Sequence, residues 1–140
     1  MLRKLALAAT AALTISTSLA LADDPLFHDL GGRDGIATIV DDATSNFLAD
    51  PRIKATFDNT NMDRFKTNLT DQLCVVAGGP CVYKGQSMHD AHKGLHLTNA
   101  DFNALVEDLQ AGMDKAGVSF ATQNRLLARL APMNRDVVTK

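Results

Sequence analysis

The segment SMHDAHKGLHL, residues 87–97, contains three of the four histidines in the chain. Whether these histidines bind a metal or cofactor determines what fills the core of the fold. On a helix, His89 and His92 are three residues apart and His92 and His96 are four apart, so all three can share one broad face. Spacing alone leaves three interpretations open: one metal ligand, three metal ligands, or solvated positions on an ordinary helix. The choice depends on the segments that pack opposite.

The first 22 residues, MLRKLALAATAALTISTSLALA, have the layout of a cleaved secretory signal. A short basic start precedes an apolar stretch rich in Ala and Leu, which ends in the cleavage site Ala20-Leu21-Ala22. The apolar part is interrupted by Thr14 and by residues 16–18, so it is too short and too polar for a membrane anchor. We predict a signal peptide at residues 1–22, a mature domain at residues 23–140, a periplasmic or secreted location and no membrane association after cleavage.

The predicted mature chain is small and acidic. Removing Arg3 and Lys4 from the 14 basic residues leaves 12, against 16 acidic residues, so a nucleic-acid partner is not expected. About 118 residues remain, which is enough for one domain.

Two cysteines, Cys74 and Cys81, bracket the sequence VVAGGP. An even number of cysteines in an exported chain favours a disulfide over two free thiols. The spacing is not that of a Cys-x-x-Cys redox site or of a haem-attachment motif. We predict a structural bridge, which stabilises the fold by about 2 to 3 kcal/mol on the chain-entropy model.

Apolar residues recur at helical spacing in four long stretches: residues 33–51, 59–80, 98–117, and from Ser119 to about Val137. An Asn/Thr cap opens the second stretch, and Thr98 with Asp101 caps the third. A bend is predicted in the fourth at Pro132. Runs of alternating polarity are absent, so the predicted class is all-α.

The histidine segment forms a short helix between two long ones, capped by Ser87 and weakened by Gly94. His92 belongs to its apolar stripe, which consists of Met88, Ala91, His92 and Leu95. His89 has polar neighbours, and His96 follows the glycine. With one Tyr and no Trp, a domain this small has thin aromatic packing, and a flat apolar cofactor fills such a core.

Short motifs follow one another along the chain: Leu30-Gly31-Gly32, Gly35-Ile36, Phe47-Leu48-Ala49-Asp50-Pro51, Phe57, Thr60-Asn61-Met62, Gly78-Gly79-Pro80, Tyr83, Gly85, Met88, Ala91-His92, Phe102 and Ala131-Pro132. In this order and spacing, over about residues 26–138, the chain resembles the group 1 truncated haemoglobins, here in an exported form with a cysteine pair. The resemblance implies a truncated globin fold, a two-over-two helical sandwich around a haem b.

The same resemblance assigns the site residues. It makes His92 the proximal iron ligand and places Phe57 flat on the porphyrin. The implied proximal contacts are Met88, Phe102 and Leu105. The implied distal contacts are Phe65, Leu69 and Leu73. The implied polar contacts to the propionates are Lys66 and Tyr83.

The distal pocket departs from the family pattern. Where common members have a tyrosine and a glutamine that hydrogen-bond dioxygen, this chain has Thr44 and Leu69, and the nearest polar substitutes are Thr44 itself and Gln72. Asn68 stands where some relatives supply a sixth ligand. The resemblance therefore implies reversible binding of O2, NO or CO. It implies a dioxygen-carrier role only weakly. Redox chemistry, NO detoxification, a redox partner and enzymatic turnover stay open.

Two other classes of protein are compatible with the residues. A periplasmic non-haem protein would bind zinc, copper or nickel through His89, His92 and His96. A purely structural helical domain would bind no cofactor. Colour separates them from the main hypothesis, because haem absorbs intensely in the visible range and zinc does not.

Overall fold

The computed structural model describes residues 25–140, and these residues form helices joined by short loops. The helices are α1 (Pro25–Asp29), α2 (Gly32–Ala49), α3 (Met62–Val76), α4 (Met88–His92), α5 (Asn99–Lys115), α6 (Phe120–Leu130) and α7 (Asn134–Val137), with 3₁₀ turns at Lys54–Phe57 and Ala131–Met133. No strand occurs in this part of the chain, so the predicted all-α class is confirmed. The predicted signal peptide, residues 1–22, lies outside the described residues.

The four long helices pack as two crossed pairs. Helix α2 packs on α5 and on α3, and α6 completes the arrangement against both α3 and α5. The closest crossing is at Gly112 of α5, where a Cβ atom would lie 2.9 Å from the backbone nitrogen of Ala43. The inward face of α2 is buried as its helical spacing predicts: Ile36, Ile39, Val40, Ala43 and Phe47. The two-over-two sandwich is confirmed.

Side-chain caps fix where the helices begin. The Asn61 side chain accepts a hydrogen bond from the backbone N–H of Arg64 at the start of α3, and Ser119 does the same for α6. Thr98 and Asp101 form a reciprocal capping box at the start of α5. The predicted helix starts are therefore confirmed.

The disulfide between Cys74 and Cys81 is formed, with the two Cα atoms 5.9 Å apart. Cys74 is fully buried in the last turn of α3. Gly79 permits the close approach, because a Cβ there would lie 2.8 Å from the Cys74 sulfur and would overlap the Phe27 ring. The predicted bridge is confirmed.

Pro132 ends the regular helix near the C-terminus. Helix α6 stops at Leu130, a 3₁₀ turn carries the proline, and α7 continues the chain. Helix α1 was not predicted, because five residues are too few for a periodic pattern; it buries Leu26 and Phe27. None of the helices in residues 25–140 has the length and apolar content needed to cross a bilayer.

Candidate functional site

A cavity of about 280 Å³ lies between the helix pairs, with walls from α3, α4, α5 and the C-terminal segment. Its lining is mostly apolar. Ten of the twelve predicted site residues face it: Phe57, Phe65, Leu69, Gln72, Leu73, Tyr83, Met88, His92, Phe102 and Leu105. These residues, predicted from helical periodicity and motif spacing, therefore lie together in one concave site.

His92 is the last residue of α4 and lines this cavity. Its Nδ1 atom lies 2.7 Å from the carbonyl oxygen of Met88, one turn earlier. A carbonyl only accepts, so Nδ1 carries the ring proton and donates it. In the neutral ring this leaves the lone pair on Nε2, the arrangement typical of a metal-ligating histidine whose orientation is fixed by the other nitrogen.

The three-histidine hypothesis is not supported. The His89 side chain is 65% exposed and faces Asp90, with Nδ1 3.3 Å from Oδ1. His96 follows the end of α4 and has a left-handed backbone, with φ of 54°. Within residues 25–140, no three His, Cys, Asp or Glu side chains lie close enough to hold a metal ion. Helix α4 ends at His92, so the helical spacing that would align His96 does not extend to it.

Three phenylalanine rings form a wall of the cavity. Phe47 of α2 and Phe57 of the first 3₁₀ turn stack with ring centroids 5.8 Å apart and planes 6° apart. Phe65 of α3 meets both rings edge-on, at 6.4 Å from Phe47 and 5.3 Å from Phe57. Each ring is held by the other two, so this wall is apolar and packed.

Gln72 supplies an amide to the cavity. Its Nε2 atom lies 3.0 Å from the sulfur of Met88 and 3.6 Å from that of Met133. A thioether is a weak acceptor, so these contacts orient the amide without using its full capacity to donate. The contact joins α3 to α4 and to the second 3₁₀ turn.

Two predicted site residues, Thr44 and Lys66, do not line the cavity. Thr44 is 2% exposed, and its hydroxyl has no hydrogen-bond partner within the described residues. Lys66 instead pairs with Asp41 of α2, with Nζ 2.9 Å from Oδ1.

Tyr83 lies in the loop between α3 and α4 and faces the cavity. Its hydroxyl donates a hydrogen bond of 2.7 Å to the carbonyl oxygen of Gln86. Partial burial raises the pKa of the Tyr83 phenol above its usual value, so the ring keeps its proton.

Comparison with known proteins identifies the site. The sequence profile of the bacterial-like globins matches residues 25–139. A group 1 truncated haemoglobin of Tetrahymena pyriformis is 36% identical over 115 residues, which cover 82% of this chain and 95% of the relative. A second, of Tetrahymena thermophila, is 40% identical over 94 residues, 67% of this chain and 78% of the relative. The chain belongs to the group 1 truncated haemoglobins.

Solved truncated haemoglobins share the fold. The crystal structure of the Tetrahymena pyriformis protein in the Fe(III) form superposes with a TM-score of 0.80 at 36% identity and covers 82% of this chain and 98% of that one. The 2/2 haemoglobin of Synechococcus sp. PCC 7002, in the cyanomet state with covalently attached haem, superposes with a TM-score of 0.76 at 26% identity. This match also covers 82% of this chain and 98% of that one.

Haem is the cofactor of truncated haemoglobins, and the cavity residues of this chain fit it. One imidazole presents Nε2, aromatic and aliphatic side chains form flat walls, and few polar groups face the interior. Held in this cavity, the haem b iron supplies the coordination position at which a gas molecule binds.

Part of the cavity lining was not predicted from the sequence. The missed residues are Phe47, Ile53, Thr56, Thr60, Asn68, Ala91, Leu95, Leu97, Asp101, Val106, Leu109, Leu130, Met133 and Val137. Many belonged to the predicted apolar stripes, but a stripe does not distinguish a side chain that faces a neighbouring helix from one that faces a cofactor. Asp101 was recognised only as a cap, and hydrogen bonds from Thr98 lower its pKa.

Proposed function

We propose that this truncated haemoglobin holds haem b through His92 and reversibly binds diatomic gases, with a preference for NO and CO over O2 compared with relatives that have the distal tyrosine and glutamine. The observation that carries this proposal is the His92 ring, which lines the cavity while its Nδ1 proton is bound by the Met88 carbonyl. That hydrogen bond orients Nε2 and raises its basicity as a ligand.

The gas preference rests on the distal wall. Leu69, Leu73 and the three phenylalanines offer no hydrogen-bond donor, and the donors that α3 contributes to the cavity are the amides of Asn68 and Gln72. The Thr44 hydroxyl lies behind the cavity, and the Gln72 amide contacts two sulfurs, one of which belongs to the His92 helix. Dioxygen is polarised by ferrous haem and gains about 1.5 to 3 kcal/mol from a donor, as other charge-assisted bonds do. CO and NO are less polarised and lose less when no donor is present.

Enzymatic turnover is not part of this proposal. The cavity residues contributed by α3 are Phe65, Asn68, Leu69, Gln72 and Leu73, and none of them titrates. Proton-coupled redox chemistry needs an acid or base close to the reacting atoms. The cavity wall of the described chain supplies titratable groups only from Tyr83, His92 and Asp101, which lie on other segments.

For the propionates, the contacts favour Tyr83 over Lys66. Tyr83 lines the cavity, whereas Lys66 would have to leave Asp41. For the location, we propose the periplasm or the outside of the cell. This rests on the signal-like residues 1–22 and on the disulfide, which persists in oxidising compartments.

A titration with haem tests the proposal. His92→Ala should abolish or severely weaken haem binding, because it removes the one imidazole that faces the cavity. His89→Ala is the matched control: the same substitution, on the same short helix, at an exposed ring, should leave the Soret band nearly unchanged. His96→Ala should behave like the control. Equal losses in all three variants would overturn the proposal.

A further inference from the structure

The Cys74–Cys81 disulfide joins two walls of the cavity. Cys74 directly follows Leu73 and lies two residues after Gln72, and both of these line the cavity from α3. Cys81 lies two residues before Tyr83, which lines the cavity from the loop. The bond therefore fixes the loop wall to the end of α3.

Local contacts fix the loop between the disulfide and α4. The Tyr83 hydroxyl donates to the Gln86 carbonyl, and a Cβ at Gly85 would overlap the Tyr83 ring. The next residue, Ser87, caps α4 by accepting a hydrogen bond of 3.1 Å from the Asp90 N–H. Displacement of Cys81 is consequently transmitted along the chain to the first turn of α4.

Helix α4 has little other support. It is five residues long, contains no buried residue and packs chiefly against α7, with one further contact from Met88 to Gln72 of α3. Helix α7 has only four residues, and three hydrogen bonds tie its region to the start of α5: Asn134 to Asn99 at 3.1 Å, and the Thr139 and Lys140 N–H groups to the Leu97 carbonyl at 3.0 and 3.2 Å. The loop that the disulfide anchors is therefore a principal support of the His92 helix.

We infer that the Cys74–Cys81 disulfide positions His92, and that haem retention in this protein depends on the thiol–disulfide state of the pair. The inference rests on the proposed ligation by His92. Reduction by a dithiol transfers two electrons and two protons: the dithiol becomes a disulfide, and the protein gains two thiols. A thiolate of the dithiol attacks the sulfur of Cys81, since Cys74 is fully buried. The Cys74 sulfur then leaves as a thiolate and takes up a proton.

The test compares the oxidised holoprotein with Cys81→Ser. This substitution removes the disulfide without adding a reductant and leaves the buried Cys74 in place. Transfer of haem to an excess of a haem-scavenging apoglobin gives the rate of haem loss. We expect a rate roughly tenfold higher in Cys81→Ser, equivalent to about 1.4 kcal/mol. Wild-type protein reduced with dithiothreitol, exchanged out of the thiol before haem is added, should match the variant.

Hydrogen exchange of the haem-free protein provides a readout that does not depend on haem. Amides of residues 82–92 should exchange faster in Cys81→Ser, while those of α2 and α5 change little. Ser119→Ala is the matched control, since it removes the cap of α6 at a distance from the loop and lowers overall stability.

The inference is overturned if Cys81→Ser retains haem as long as the oxidised protein, or if Ser119→Ala accelerates haem loss and exchange in the same pattern. If the oxidised protein binds no haem through His92, the proposed function fails. Exchange in residues 82–92 then still decides whether the disulfide positions α4.

Discussion

The Nδ1 atom of His92 lies 2.7 Å from the carbonyl oxygen of Met88, and both residues line the same cavity. The hydrogen bond is made within α4, so the ring is oriented by the helix that carries it. His89, on the same helix, instead faces an exposed carboxylate. This relationship distinguishes His92 as the histidine of the segment that lines the cavity with an oriented ring, while His89 and His96 are exposed.

The aromatic wall predicts a large loss of stability on truncation. Phe47 is fully buried and contacts both Phe57 and Phe65, so Phe47→Ala should lower the free energy of unfolding by about 3 to 5 kcal/mol. Phe120→Ala is the matched control, because that ring is 69% exposed and its loss should cost less than about 0.5 kcal/mol. Urea unfolding of the haem-free proteins measures both. Similar losses in the two variants would show that the wall is not packed as described.

The capping box predicts an acid-dependent contribution from Thr98. Hydrogen bonds from the Thr98 backbone and hydroxyl lower the pKa of Asp101, so its contribution is present above the unfolded pKa near 3.8 and disappears as the pH falls through the folded value. Thr98→Ala should cost about 1 kcal/mol at pH 7 and less in acid. Ser119→Ala, a cap without a carboxylate partner, should cost a similar amount at both pH values. Urea unfolding at pH 7 and pH 3 measures the loss of unfolding free energy in both variants. A pH-independent loss in Thr98→Ala would refute this account.

Asp108 predicts the opposite pH dependence. Burial first, and then the charge of Asp50, raise the pKa of Asp108, so this carboxyl holds its proton more strongly in the folded state than in the unfolded state. Its contribution is fully present below the unfolded pKa and is lost as the pH rises through the folded value. Asp108→Asn should therefore be more stable than the wild type at pH 7, with a difference that shrinks in acid. Thermal unfolding across pH tests this, and a variant less stable at pH 7 would contradict it.

Much of the fold was predictable because each long helix has an apolar stripe at helical spacing and three of them, α3, α5 and α6, begin at a side-chain cap. Thr98 with Asp101, Asn61 and Ser119 gave the helix starts directly. The site was predictable where a motif residue lies on an inward face, as for His92. Lys66 does not line the cavity and pairs with Asp41 of another helix, and one-dimensional spacing does not reveal such a pair.

Other parts of the site required the three-dimensional structure. Met133 and Val137 face the cavity only because Pro132 redirects the chain after α6. Thr44 was expected in the distal pocket, but it is buried and does not line the cavity. The roles of His89 and His96 depended on where α4 ends, and local sequence does not define that end to within one residue.

The dioxygen dissociation rate of the ferrous protein, measured by stopped flow, tests the central claim most directly. Without the distal tyrosine and glutamine, release should be faster by roughly one to two powers of ten than in relatives that have them, at 1.4 kcal/mol per tenfold. Thr44→Tyr should slow it, because the longer side chain carries a hydroxyl towards the cavity. CO and NO release should change less. Slow dioxygen release from the unmodified protein, abolished by Gln72→Ala, would contradict the account and make Gln72 the missing donor.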